Sequence, residues 1–358
     1  RCWDSALEAL GMSNAESVIK ALATSEVVIE QHATRFTGST EYMFKHSLVR
    51  EVAYSSLSET GRTELHALAA AWLASMGEDA ATVARHYDLG EQHQAAAEYW
   101  ALAAQRALAT NALHDAVTMA ERALAFAEDK VAGFQRASCL DEAWSRLDPR
   151  AADRETAVLA MQENVHDQAS SIRARGARAR YDDARGGGGD VTELLAQIRN
   201  EAADLGLHEE EARCSAVLAS RLAFAGRFDA AKSEAVRLLD FAERRGIRSA
   251  AVDAWQTLAI VRQTQGAVSE ALAARRNAAA AARQAGLKER EAMLTTNLGF
   301  ALTTIGARQE ARAALEAGLS LADAIGSQGA VRHAQMNLLG WAATFGNDRR
   351  LEGLLAEP

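Results

Sequence analysis

The chain has 358 residues, 49% of them hydrophobic and 6% aromatic, with 39 basic against 48 acidic side chains and a formal net charge of −9. Half-apolar composition excludes wholesale disorder, and the acidic balance argues against a nucleic-acid binder, which carries a basic surplus or stripe. Abundant alanine and only two prolines, Pro149 and Pro358, point to helix after helix, because alanine is the best helix former and proline breaks helix interiors.

The first 58 residues have a grammar of their own. A helical stretch from Ala15 to Ser25 leads into the β-branched run Val27-Val28-Ile29-Glu30. A polar, glycine-containing loop follows, then the alternating Glu41-Tyr42-Met43-Phe44-Lys45. A helix followed by two short strands predicts a partial winged-helix (α+β) module over 1–58. Its helix carries a single lysine, Lys20, which does not favour DNA contact. His46 is expected to anchor a hydrogen bond where strand gives way to helix, and the next helix carries Leu65-His66 and Trp72-Leu73.

From 59 to 165 the pattern is helical but irregular. Ala95–Ala109, Leu113–Glu128, Gly133–Leu147 and Arg154–Val165 are amphipathic segments of helical length, and His86 and His93 are placed beside a helix end. Asn111-Ala112-Leu113-His114-Asp115-Ala116 has the character of a degenerate repeat turn.

From 166 to 358 a period of forty residues is plain. Gly206, Gly246, Gly286 and Gly326 form one glycine ladder, and Gly186, Gly226, Gly266, Gly306 and Gly346 form a second, offset by 20. Between glycines lie about 17 residues with apolar positions three and four apart, such as Val252, Trp255, Leu258 and Ala259, and in the partner segment Val268, Ala271, Leu272 and Ala279. A glycine just past the last periodic residue suits a left-handed helix cap. Each unit is therefore helix, glycine turn, helix, glycine turn, and a hairpin of this kind buries its apolar stripe only against its neighbours. The run Gly186 to Gly189 predicts a flexible turn; without a following Lys-Ser/Thr, and after a helix instead of a strand, it is not a nucleotide loop. The final segment from Leu351 to Pro358 is too short for a second helix, so apolar surface left there would allow dimerisation.

Ala225-Gly226-Arg227-Phe228-Asp229-Ala230-Ala231, and Asn297-Leu298-Gly299 with Gly306 and Ala311, resemble the tetratricopeptide pattern. In that pattern small residues such as Gly299, Ala259, Ala231, Ala271 and Ala311 stand where paired helices meet closely. The fold expected is an all-α, right-handed, tetratricopeptide-like α-solenoid of about 40-residue hairpins. The unit is six residues longer than the family's 34 and lacks its closing proline, which bears on superhelical pitch.

The string Phe44-Lys45-His46-Ser47-Leu48-Val49-Arg50-Glu51-Val52-Ala53-Tyr54, placed between a winged helix and tetratricopeptide-like repeats, resembles the junction in bacterial signal-transduction ATPases with numerous domains (STAND). Multidomain cyclases, serine/threonine kinases and transcriptional regulators of bacteria carry this order of parts. The resemblance implies a sensor arm whose partners are a protein, peptide or small inducer and the protein's own ATPase core. No Walker loop occurs in this sequence, so ATP hydrolysis is not carried over, and the opening on Arg1 reads as a piece of a longer protein.

Enzyme chemistry finds no foothold. His208 precedes Glu209, Glu210 and Glu211 without the two-histidine spacing of a helix-borne zinc site, and no G-x-S-x-G elbow or C-x-x-C pair occurs. Neither cofactor nor metal is expected. Cys2, Cys139 and Cys214 are odd in number and far apart, which fits a reducing cytoplasm, and no apolar run of 18 residues suggests a membrane span. Arg173, Arg175, Arg178, Arg180 and Arg185 read as a solvated helix face, as do the acidic pairs Asp182-Asp183 and Glu209 to Glu211 at helix ends. Transferring the family's inward-facing positions by the glycine register gives a partner-binding face of Arg213, Ser220, Asp253, Gln256, Gln263, Thr264, Met293, Thr296, Asn297, Phe300, Thr303 and Thr304. Polar groups mixed with Met293 and Phe300 suit an extended peptide or a partner helix. The alternatives are a passive scaffold, or a transcriptional regulator with DNA contact elsewhere in the full protein.

Overall fold

A computed structural model describes residues 2–186 and 190–346. Among them are 18 α-helices and three short strands, and no strand occurs after Phe44. The chain divides into two compact units, 1–166 and 167–358.

The first unit opens with β1 (Cys2–Trp3), α1 (Asp4–Ala9), α2 (Ala15–Thr24), β2 (Val28–Glu30) and β3 (Glu41–Phe44). The sheet is antiparallel in the order β1-β3-β2, with Cys2 opposite Tyr42 and Val28 opposite Phe44. β1 and α1 escape the sequence pattern, since two residues are too few to alternate and six too few to show a helical period. They are fixed instead by Asp4, whose carboxylate accepts from Ser39 Oγ at 2.6 Å and from the Thr40 amide at 3.0 Å. Ile19, Val28 and Tyr42 form the small core beneath the sheet. His46 does not anchor the junction as expected: it precedes α3 (Ser47–Ser55) in extended conformation and its side chain makes no cap bond.

α3 buries none of its residues. After it come α4 (Glu59–Ser75), α5 (Ala80–Leu89), α6 (His93–Ala109), α7 (Leu113–Leu124), α8 (Lys130–Leu147) and α9 (Arg154–Glu163), each packed on its chain neighbour. Trp3 and Phe36 pack against Trp72 of α4, with ring centroids 5.4 and 5.3 Å apart, so aromatic burial ties the opening module to the first repeat. His86 lies in the last turn of α5 and His93 begins α6, as the spacing predicts. Asn111 takes φ +59° in the turn before α7, doing the work that glycine does in the regular units.

The second unit contains α10 (Gln168–Ala184), α11 (Thr192–Asp204), α12 (His208–Phe224), α13 (Phe228–Arg245), α14 (Arg248–Thr264), α15 (Val268–Gln284), α16 (Lys288–Thr304), α17 (Arg308–Ala324) and α18 (Gln328–Phe345). From α14 to α17 every helix has 17 residues, with three-residue turns between them, which restores the period of forty. The glycines from Gly206 to Gly326 in both ladders sit at φ between +67° and +83°. At the α12–α13 turn the Gly226 amide donates to Ala223 O and the Arg227 amide to Leu222 O, closing the helix end with both orphan carbonyls used.

Small residues then set the helix spacing. Ala231, Ala259, Ala271 and Ala311 are buried, and a Cβ on Gly299 would stand 2.6 Å from Cγ of Leu315. Leu338 and Trp341 of α18 cover Leu302, Ala311 and Leu315. Val268, expected on the apolar stripe of α15, is exposed, because the first turn of that helix lies outside the packed zone. The predicted turn at Gly187 to Gly189 and the segment from Leu351 to Pro358 lie outside the described residues.

Candidate interaction face

Alternate helices of the second unit touch. α12 meets α10 and α14, and α16 meets α18, so their outward residues share one surface. Polar side chains link these helices directly. Arg290 on α16 donates to Gln256 at 2.8 Å and to Asp253, both on α14. The Asp253 carboxylate beside it holds the Arg290 guanidinium above its ordinary value. His333 Nε2 on α18 lies 2.9 Å from Asn297 Oδ1 on α16, which makes it the donor.

Asn297 and His333 are 36 positions apart, and so are Phe300 and Met336, one helical turn further along the same two helices. This register places Phe300 and Met336 one turn beyond that hydrogen bond on the same two helices. They are 52% and 71% exposed, and Met293 on the preceding turns of α16 is also open. The centre of the face therefore sets amides and an imidazole beside two large, bare apolar side chains.

The sequence-derived positions divide into three groups. Asp253, Gln256, Met293, Asn297 and Phe300 come together on α14 and α16. Arg213, Ser220, Gln263, Thr264 and Thr304 are present but engaged or peripheral: Arg213 pairs with Glu209 of its own helix at 3.5 Å, and Gln263 accepts from Arg275. The hydroxyls of Thr264 and Thr304 donate to Val261 O at 2.8 Å and to Ala301 O at 2.7 Å. Thr296 and Thr303 are corrections, being 1% and 7% exposed. Their hydroxyls donate to Ala292 O and Gly299 O inside the stack, and Thr296 faces the next helix where Gly318 leaves room for it. His333 and Met336 were missed, although carrying the register one more period past Met293 and Thr296 reaches them.

The arginine row on α10 is a second correction. Arg175 donates to Glu201 of α11 at 2.6 Å, Arg178 pairs with Asp182, and Arg180 forms a bidentate pair with the buried Glu210 of α12. Arg221 of α12 reaches back to Asp183 at 2.5 Å. Glu211 is buried too and accepts from Arg237 of α13 at 2.8 Å. Arg175, Arg180, Glu210 and Glu211 thus bind neighbouring helices, while Arg173, Arg185 and Glu209 stay exposed and the Arg178–Asp182 pair lies along α10 itself, so the expected solvated face holds only for these.

Among the described residues no group of three or more His, Cys, Asp or Glu is placed to hold a metal ion. Burial pushes the Cys139 thiol up to about 11 and the Cys214 thiol up to about 12, so neither is a thiolate near neutral pH. No described helix is long and apolar enough to cross a membrane.

No family model matches the sequence, and no curated protein matches it. Solved structures do. BtubC (BKLC) from P. vanneervenii is 17% identical with a TM-score of 0.43, over 63% of this chain and 93% of that one. A STAND protein with a tetratricopeptide repeat sensor from Pyrococcus horikoshii is 14% identical with a TM-score of 0.46. It matches over 98% of this chain, which spans 59% of that protein's length. The Cut9–Hcn1 hetero-tetramer of the APC/C is 12% identical with a TM-score of 0.25, over 98% of this chain and 89% of that one.

Proposed function

We propose that this chain is the non-catalytic interaction and sensor arm of a bacterial, cytoplasmic signal-transduction ATPase of the STAND kind. It takes a protein, peptide or small inducer on the face formed by α12, α14, α16 and α18 and relays that event through its opening module. The observation that carries the reading is the exposure of Phe300 and Met336, bare apolar groups one turn beyond the Asn297–His333 hydrogen bond, beside polar side chains engaged with one another. A surface of this kind takes an apolar anchor residue, while main-chain amides of a bound segment exchange hydrogen bonds with Asn297 and Gln256. The partial winged-helix module is the side that meets the ATPase core. Ile29, Met43, Leu48, Val49 and Val52 cluster there in sequence and are exposed, and α3 has no residue buried.

The test is a peptide library displayed on phage and panned on the chain, with enriched sequences resynthesised for calorimetry. Ligands with one or two apolar anchors are expected, with affinity dropping at least tenfold on Phe300→Glu or Met336→Glu. Both positions are exposed, so neither substitution threatens the fold. Saturable ligands indifferent to both changes, or no ligand at all, would leave a passive spacer and remove the proposal.

A further inference from the structure

Three side chains from three consecutive helices of the first unit form one hydrogen-bonded line. The Tyr54 hydroxyl on α3 lies 2.9 Å from Nε2 of His66 on α4, and Nδ1 of His66 lies 3.0 Å from Nδ1 of His86 on α5. Two imidazole nitrogens at that distance hold one proton between them, because one must donate and the other accept. The line closes in either direction with both rings neutral: Tyr54 to His66 to His86, or the reverse. Two charged rings would set N–H against N–H.

The surroundings offer no compensation. On α3 the nearby charges are Arg50 and Glu51, 3.9 Å apart and both exposed. On α4 the Arg62 guanidinium stands 5.4 Å from the centroid of the Tyr54 ring. On α5 there is Arg85, which disfavours a charge on His86, as does His66 itself. α4 also carries Glu59 and Glu64, α5 carries Asp88 and α6 carries Glu98 and Arg106, yet both rings are shifted toward the neutral form with burial the leading cause.

This line also fastens something. α3 has no buried residue, and Tyr54 near its end reaches the repeat helices through its hydroxyl. We infer that Tyr54, His66 and His86 form a proton-operated latch, which holds α3 against the first helical hairpin while both imidazoles are neutral and frees it when they are charged. The inference rests on this geometry alone and does not need the ligand face or the ATPase.

Burial lowers both histidines below the ordinary 6.5, with the His66 and Arg85 charges adding to the effect at His86. The sign follows. A ring whose closed-state value is depressed takes its proton more readily when released, so the latch is at full strength above 6.5 and weakens as pH falls toward the lowered closed-state values. Over that interval each pH unit shifts the closed-to-open ratio by up to about tenfold per ring, or about a hundredfold for both.

The experiment is amide hydrogen exchange of the whole chain at about pH 7.5 and 5.5, corrected for intrinsic rates, paired with an NMR titration of both histidine rings. Protection across Ser47–Ser55 is expected to fall at least tenfold at the lower pH while α6 to α8 hold theirs. His86→Gln, which cannot take up the proton, should reduce that dependence to the share of His66 alone, at most about tenfold per pH unit, and in the parent both rings should titrate below 6.5 in separate steps. Equal α3 protection at both pH values, an unchanged response in His86→Gln, or either ring titrating at or above its ordinary value would overturn the latch.

Discussion

Glu234 shows what a single buried charge does in this stack. Its carboxylate accepts from Ser215 Oγ at 2.5 Å, Arg199 Nη1 at 2.6 Å and Arg237 Nη2 at 2.9 Å, so α11, α12 and α13 meet on one side chain. Burial works against its ionisation, but the hydrogen bonds from Arg237, Ser215 and Arg199 outweigh it and hold the carboxyl below its ordinary 4.5. Glu234→Gln removes the charge and leaves two arginines facing an amide, which should cost about 2–3 kcal/mol in urea unfolding at neutral pH. A depressed carboxyl stabilises the fold above 4.5, and that contribution is lost as pH falls through the lower folded value. The substituted chain should therefore lose less stability between about pH 5 and 3 than the parent; an equal acid slope would show that Glu234 is not the group responsible. The sequence hid this network for a physical reason. Along one helix a charge shows only neighbours three or four positions away, whereas Arg175, Arg180 and Arg199 find carboxylates 26 to 35 positions on, across helices. The same blindness put Thr296 and Thr303 on the face: a threonine that donates to its own helix is as free to be buried as to be exposed.

At the scale of the element, the turns were the most legible part of the molecule, since a left-handed backbone position writes itself into the sequence as glycine. A Cβ built on Gly226, Gly266 or Gly306 meets nothing within 4 Å, so only backbone conformation selects glycine there. Gly226→Ala should accordingly cost about 1 kcal/mol, the ordinary penalty for a side chain in that region. Gly299 is selected by space. Its built Cβ lies 2.6 Å from Leu315 Cγ and 3.0 Å from the Leu315 backbone nitrogen, so Gly299→Val should cost about 2–3 kcal/mol by forcing α16 and α17 apart. Asn111 offers the converse: at φ +59° it tolerates the turn, and Asn111→Gly should gain a few tenths of a kcal/mol. Chemical denaturation of the three variants orders them, and a Gly226→Ala loss as large as that of Gly299→Val would contradict the distinction between conformation and space. Elements without a period were the illegible ones: β1 and α1 exist because Asp4 and the strand partner Tyr42 hold them.

For the molecule as a whole, the decisive property is that each described helix of the second unit packs on its chain neighbours, with next-but-one packing of α12 on α10 and α14 and of α16 on α18, and no comparable packing of α18 on α10. Stability in such an array is close to a sum of units and nearest-neighbour interfaces. Removing α18 would uncover Leu302, Ala311 and Leu315, which Leu338 and Trp341 now cover, while every contact among α10 to α14 stays as it is. A chain ending at Gly326 should therefore keep the helical signal of its remaining residues. Its hydrogen-exchange protection should drop in α16 and α17 and hold in α12 and α13. A closed globule behaves otherwise, because losing one helix of a shared core lowers the stability of every element together. Exchange rates rising uniformly from α10 to α17 would mean that the forty-residue hairpins do not act as separable units. A face assembled one hairpin at a time would then lose its basis, since the register that sets Asn297 against His333, with Phe300 and Met336 one turn beyond, is a consequence of that same repeat.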